Sequence, residues 1–290
     1  VEVLLSEVSS PALDRALAAL REGLDRDIGR WAVTEAERDA VLARIRGTVG
    51  VEELSGVPVV LEAIPEDFAA KVALLGELDR SCHPGAVFLS NSSTLSLTRL
   101  GDSLPPRRRP LLAGLHFLHP VSRVPAVELV MARETGDRAV AVARELAHLL
   151  GKEVMEVAES PGYVSSRLML SLINEAAQLV LEGVATRDVV DRTTRLRFGA
   201  GHGPLALADE LGLDSVLQAL ESLHRETGLS RFVPSPLLRR MVNQGWLGEK
   251  SGRGFYRYDS RGRRLPDPPD VVAPTLERLL GTHGGEGGEE

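Results

Sequence analysis

The sequence predicts an α/β protein, a parallel-sheet domain followed by an all-helical one, and three observations lead there. Over the first 159 residues, short runs that are apolar throughout (VPVVLEAIP, GAVFLSNSS, LLAGLHF) alternate with helical patterns, as strands covered on both faces of a parallel sheet do. After Ser160 the strand patterns stop and helical spacing takes over. The last 32 residues, 259–290, end in GTHGGEGGEE, a composition that buries too little apolar surface to fold and is expected to be partly disordered. The expected division is therefore 1–159, 160–258 and a tail, 259–290.

VEVLL reads as a first strand ending at Ser6 and Glu7, and SSPALDRALAALREGLDRDIGRW as a helix with Leu13, Leu17, Leu20 and Leu24 on one face behind a Ser/Pro start. Thr34 and Glu37 have capping-box spacing, so a second helix is expected from there to Gly47. VPVVLEAIP, a fully buried strand, EDFAAKVALLGELDRSC, a helix, and GAVFLSNSS, a strand with a polar end, follow in turn. LLAGLHF and AVELV add two strands, ARELAHLLGK a helix and EVMEVAES a last strand. In SPGYVSSRLMLSLINEAAQLVLEGV, Ser160 is the expected cap and Pro161 the first helical residue, with apolar positions at 164, 168, 172, 176, 179 and 180. Shorter helices run on through Leu238 and Met241, and SGRGFYRY closes the ordered part.

Composition excludes several roles. The chain has 290 residues, 43% of them hydrophobic and 26% charged, enough for a large core. Its net charge of -7 argues against nucleic-acid or anionic-membrane binding, both of which rest on clustered positive charge. No apolar run reaches the roughly 20 residues of a membrane span. A single cysteine, Cys82, permits no internal disulfide and suits a reducing compartment, so a cytoplasmic location is expected.

Chemistry concentrates in LHFLHPVSRVPAVELV, residues 115–130. A metal reading of His116 and His119 lacks a third ligand in register, and Pro120 interrupts any helix that would present the pair. If the flanking strands are neighbours, His116 and Glu128 meet across the loop. A carboxylate on one ring nitrogen then fixes the tautomer while the other nitrogen accepts a proton. A buried histidine satisfied by a structural glutamate is the competing account. SNSSTLS at 90–96 ends a strand where an open sheet offers side chains to a ligand, or else supplies turn and helix caps. Glu7 stands where a nucleotide-binding α/β domain holds ribose hydroxyls, or is a solvated strand end, and no G-x-G-x-x-G turn accompanies it. PPRRRP at 105–110 reads as a solvated loop, with a phosphate contact as the alternative.

Taken in order, VVLEAIPEDFAAK, FLSNSS, GLHFLHP, VELV, ESPGYVSSRL, INEAAQLVLEGVA, GPLALADELGLD and PSPLLRRMVNQGWLGEKSGRGFYRY resemble L-3-hydroxyacyl-CoA dehydrogenases of the short 3-hydroxybutyryl-CoA type, from Val1 to about Tyr258. The resemblance implies a Rossmann-type domain followed by a helical dimerisation domain, NAD as cofactor, an acyl-CoA substrate and a homodimer. It implies His116 as general base and Glu128 as its partner. Ser93 then contacts substrate and nicotinamide with Asn91 beside it, Glu66 and Lys71 contact the cofactor, and Arg30 meets the CoA phosphates. Glu7 takes the place of the family's ribose-binding Asp, and its charge favours NAD over NADP.

Departures from the family pattern fall on the substrate side. PGF-x-x-NR reads PGYVSSR, so Ser166 replaces a substrate-binding asparagine with a shorter side chain of different hydrogen-bonding capacity. HFFNP reads HFLHP, and GAGHGP is two residues shorter than usual. RVPAVELV resembles the lambda-crystallin or gulonate dehydrogenase branch, which makes a polyol or sugar-acid dehydrogenase the rival enzyme. The strand and Gly-rich turn that open a complete member are absent ahead of Val1. The first domain is thus expected to be incomplete at its start, with apolar sheet edges, and a non-catalytic family member is the second rival.

Overall fold

The computed structural model describes residues 1–29, 32–122, 124–199 and 201–266. Arg30 and the tail beyond 266, about which the sequence raised expectations, lie outside the described residues. The chain divides into two compact units, Val1–Glu159 and Ser160–Glu290.

The first unit runs β1 (Val3–Glu7), α1 (Ser10–Ile28), α2 (Glu35–Leu42), β2 (Ile45–Val49), β3 (Val59–Glu62), α3 (Phe68–Ser81), β4 (Val87–Ser90), α4 (Leu97–Asp102), β5 (Leu112–Phe117), β6 (Ala126–Met131), α5 (Asp137–Leu149) and β7 (Glu153–Ala158). β1 and β2 form a parallel two-stranded sheet, and the other strands form a second sheet in the order β3-β4-β5-β6-β7. Pairing in that second sheet is parallel except between β5 and β6, which run antiparallel, so the expected parallel sheet is present with one antiparallel pair. Among the described residues β1 and β3 each pair on one side only, and Val3 and Leu61 stay 46% and 42% exposed. β3 is therefore not the fully buried strand its sequence suggests.

Local chemistry sets the element ends. Ser9 caps α1 through Ala12 N–H, and the Thr34/Glu37 capping box starts α2. The helix expected to continue to Gly47 ends at Leu42, because Ile45–Val49 leaves it to pair with β1. β-Branched Ile45, Thr48 and Val49 favour the strand. Gly47 has no Cβ that would meet Leu13 of α1 at 2.9 Å, so helix and strand pack closely. The core of the larger sheet joins Val87, Leu89, Ala113, Leu115, Val127 and Leu129 to α5, whose small face Ala139, Ala143 and Ala147 recurs every four residues.

The second unit contains α6 (Ser165–Leu181), α7 (Arg187–Phe198), α8 (Pro204–Leu211), α9 (Leu213–Thr227) and α10 (Pro236–Asn243). α6 begins at Ser165 rather than Pro161, because Gly162 (φ 77) and Tyr163 (φ 43) turn through the left-handed region first. Ser160 closes that turn, its carbonyl accepting Tyr163 N–H, and its hydroxyl accepts from Arg167 instead of capping the helix. Leu170, Ile173 and Ala177 face the core, whereas Val164, Leu168 and Leu172 of the expected stripe are 53%, 69% and 42% exposed. α6 thus has two apolar faces, and the unit covers only one.

Two buried aspartates tie the unit together. Asp191 accepts the first backbone N–H groups of α8, from Leu205 (2.8 Å) and Ala206 (3.0 Å), and the Tyr256 hydroxyl (2.9 Å). Asp209 accepts Phe255 N–H (2.9 Å), Tyr256 N–H (2.8 Å) and the Tyr258 hydroxyl (2.9 Å). SGRGFYRY is therefore a strap held by carboxylates. A Cβ on Gly254 would lie 1.9 Å from the Asp209 carboxylate, which explains the glycine there. Among the described residues no helix is long and apolar enough to cross a membrane.

Candidate active site

β5 and β6 pair with His116 directly opposite Glu128. Side chains opposite one another on an antiparallel ladder share a face, and these two meet: His116 Nδ1 lies 2.8 Å from Glu128 Oε2. Both are buried, His116 at 8% and Glu128 at 1% exposure. A carboxylate this deep is a strong hydrogen-bond acceptor, and its bond to Nδ1 fixes the orientation of the imidazole ring. Gly114 lets the strands approach, since its Cβ would stand 2.8 Å from that of Val130.

Beside β5, the end of β4 carries the SNSS loop. Asn91 Oδ1 accepts Phe117 N–H (2.8 Å), which fixes the residue after His116 and leaves the Asn91 amide as a donor. Ser93 is half-buried, and among the described residues nothing hydrogen-bonds its hydroxyl. Its backbone is held by Glu66. Glu66 Oε1 accepts N–H groups from Ser93 (2.9 Å), Thr94 (2.6 Å) and Leu95 (3.1 Å) and hydroxyls from Ser92 (2.8 Å) and Thr94 (3.1 Å). Burial pushes the Glu66 carboxyl upward, but the Thr94 and Leu95 N–H groups, the Ser92 hydroxyl and the Lys71 ammonium outweigh it and leave it below its usual value.

Lys71 is 1% exposed and faces inward: its Nζ donates to Glu62 Oε1 (2.6 Å) and Ile64 O (3.0 Å) and stands 3.5 Å from Glu66 Oε2. Glu62, which the sequence reading left inside an apolar strand, is as buried as its partner. A charged residue at the end of such a run is the signal that would have found it, because a buried charge needs a counter-charge.

The other expected positions are spread out. Glu7 ends β1, and among the described residues no donor is bonded to its carboxylate. Ser166 is buried in the first turn of α6 in the second unit. His119 is exposed, and among the described residues no three His, Cys, Asp or Glu side chains gather as a metal cluster. The solvated-loop reading of PPRRRP fails at its centre. Arg108 is 1% exposed, bonded to Asp79 (2.8 Å) and Ala86 O (2.8 Å) and stacked 4.6 Å from the Phe88 ring centroid. It serves the fold and not a phosphate. Cys82 is buried, and burial pushes its thiol pKa up.

Known proteins agree with this architecture. Residues 1–160 match the family model of the 3-hydroxyacyl-CoA dehydrogenase NAD binding domain, and residues 162–258 that of the 3-hydroxyacyl-CoA dehydrogenase C-terminal domain. A probable 3-hydroxybutyryl-CoA dehydrogenase of Bacillus subtilis is 39% identical over 259 residues, 89% of this chain and 90% of that protein. A 3-hydroxybutyryl-CoA dehydrogenase of Bradyrhizobium diazoefficiens is 34% identical over 89% of this chain and 87% of its own. The crystal structure of (S)-3-hydroxybutyryl-CoA dehydrogenase from Ralstonia eutropha superposes with a TM-score of 0.79 at 35% identity, covering 90% of this chain and 91% of that one. Such matches define a two-domain, NAD-dependent oxidoreductase. The chain belongs to the 3-hydroxyacyl-CoA dehydrogenase family.

Proposed function

We propose that the protein oxidises short-chain L-3-hydroxyacyl-CoA, 3-hydroxybutyryl-CoA foremost, to 3-ketoacyl-CoA, with His116 as general base. The buried His116–Glu128 pair carries this reading. In the oxidative direction His116 Nε2 takes the proton of the C3 hydroxyl, and the C–O bond becomes a carbonyl as C3 loses hydride. Glu128 stabilises the imidazolium that forms and keeps the ring oriented. Bound NAD supplies the acceptor for that hydride. Ser93, whose hydroxyl has no hydrogen-bond partner among the described residues, donates to the substrate oxygen, while the Asn91 amide is the donor beside it. Glu7 holds the adenosine ribose, and Glu66 and Lys71 shape the nicotinamide end of the pocket. Ser166 contacts the acyl group and Arg30 the CoA phosphates.

The exposed stripe Val164, Leu168 and Leu172 supports a homodimer formed through α6, because residues four apart share a face and three large apolar side chains on one exposed face favour burial. A cytoplasmic location accords with the single cysteine.

A second reading, oxidation of gulonate or another polyol acid, is favoured by the RVPAVELV segment. Paired assays separate the two. Reduction of acetoacetyl-CoA by NADH, with no turnover of gulonate and NAD, is the expected result for the full-length protein. NADH binding without acetoacetyl-CoA turnover would sink the acyl-CoA reading.

A further inference from the structure

Five residues close a ring beneath the Ser93 loop. Lys71 Nζ donates to Glu62 Oε1 (2.6 Å) and stands 3.5 Å from Glu66 Oε2. Glu66 Oε1 accepts from the Ser92 hydroxyl (2.8 Å), Ser92 N–H donates to Ser90 Oγ (3.2 Å), and Ser90 Oγ donates to Glu62 Oε2 (2.7 Å). Glu62 also accepts Ile64 N–H (2.8 Å), which orients the turn leading to Glu66. Its side chain and that of Lys71 are each 1% exposed.

The charges make Glu62 the keystone of this ring. One ammonium faces two carboxylates, so the ring carries a net charge of one negative. That excess rests on Glu66, whose Oε1 is held by the N–H groups of Ser93, Thr94 and Leu95. Lys71 sits 2.6 Å from Glu62 and 3.5 Å from Glu66, so its position is set mainly by Glu62. Without the Glu62 charge, Lys71 and Glu66 are each other's only charged partner in the ring. Coulomb attraction then draws the Glu66 carboxylate toward the ammonium and away from the loop it holds.

We propose that Glu62 is a positioning residue for the dehydrogenase reaction, acting through Lys71, Glu66 and Ser90 to fix the backbone that carries Ser93. This deepens the reading above and rests on its assignment of Ser93. With its side chain 1% exposed, Glu62 acts through its neighbours, so its loss acts on the alignment of the Ser93 hydroxyl, and small misalignments of a reacting group cost up to about 100-fold in rate.

The experiment is a double-mutant cycle in the full-length protein, with acetoacetyl-CoA and NADH as substrates and the thermal unfolding midpoint followed in parallel. Glu62→Gln is expected to lower kcat at saturating NADH by roughly 10-fold to 100-fold. In a Ser93→Ala background the same change is expected to add no further loss. Glu62→Gln/Lys71→Met, which removes both buried charges, is expected to regain the unfolding midpoint lost in Glu62→Gln without regaining kcat at saturating NADH.

Wild-type kcat in Glu62→Gln, multiplicative losses in the cycle, or recovery of kcat together with stability in the charge-deleted variant would each overturn the proposal. If Glu62→Gln does not fold, the charge-deleted variant carries the test, and wild-type kcat there overturns it. A Ser93→Ala enzyme with wild-type kcat overturns the Ser93 assignment as well, which tells the two failures apart.

Discussion

Tyr258 donates its hydroxyl hydrogen to Asp209 over 2.9 Å, from 49 residues further along the chain. Burial, with a smaller contribution from the Glu249 charge, raises the Asp209 carboxyl from 3.8 to about 6, against the pull of its three donors. A folded pKa above the unfolded one means that the folded state binds the extra proton between about pH 4 and pH 6. Stability is therefore fullest below the unfolded value and falls as pH rises through this window, by up to about 3 kcal/mol. Thermal unfolding across pH 4 to 7 checks this. Asp209→Asn is expected to lose about 1–3 kcal/mol near pH 4, to lose less as pH rises through 6, and so to flatten that part of the profile. Gly254→Ala, which drives a methyl into the carboxylate, is expected to release the strap and expose residues 252–258 to proteolysis.

Glu128→Gln keeps the size of the partner of His116 but removes its charge. Because the pair is buried and 2.8 Å apart, the expected loss in kcat for acetoacetyl-CoA reduction is roughly 10²-fold to 10⁴-fold, with KM for NADH little changed. Steady-state kinetics at saturating NADH read this directly, and a loss confined to KM would contradict the acid/base role.

Arg108 supports the fold where β4 begins. Arg108→Met leaves the Ala86 carbonyl buried without its donor and Asp79 with Arg107 as its remaining partner, an expected cost of about 1–3 kcal/mol. Arg108→Lys keeps the charge but not the planar fork that reaches both groups, so it is expected to fall between the two. Urea unfolding midpoints order the three proteins.

Leu168 is 69% exposed in the middle of the uncovered α6 stripe. Leu168→Glu places a charge at the centre of the proposed dimer contact, and sedimentation velocity is expected to show a monomer where the parent protein sediments as a dimer. An unchanged sedimentation coefficient would remove α6 from the interface.

Much of this was legible in the sequence because its signals are local. The Thr34/Glu37 box and the apolar runs of β4 to β6 are each contained in about a dozen residues, and the structure has each where expected. β2 was missed because ARIRG continues a helical pattern, and its strand identity comes from pairing with β1, some forty residues earlier. Arg108 reads as solvated because three arginines in a row usually are, and what buries the middle one is Asp79 on α3. Asp191 and Asp209 lie among apolar residues on helices, and their importance follows from a strap that begins about forty residues beyond Asp209. The ring around Glu62 joins three segments, and no single window of sequence contains it. Arg30 lies outside the described residues, and the contacts of Glu7 at the end of β1 and of Ser166 in α6 do not define a role for either.

The reversal of direction between β5 and β6 also orders assembly in time. His116 and Glu128 are 12 residues apart along the chain, whereas Ser90 reaches Glu62 across 28 through an intervening helix. Closing the shorter loop costs less chain entropy and is faster, so the hairpin is expected to form ahead of the β3–β4 crossover during refolding. In pulsed hydrogen exchange the β5–β6 amides should gain protection first, and the opposite order would refute this. The proton-transfer pair then belongs to the part of the site least dependent on distant contacts, and a weakened fold would lose the aim of Ser93 before it lost its base.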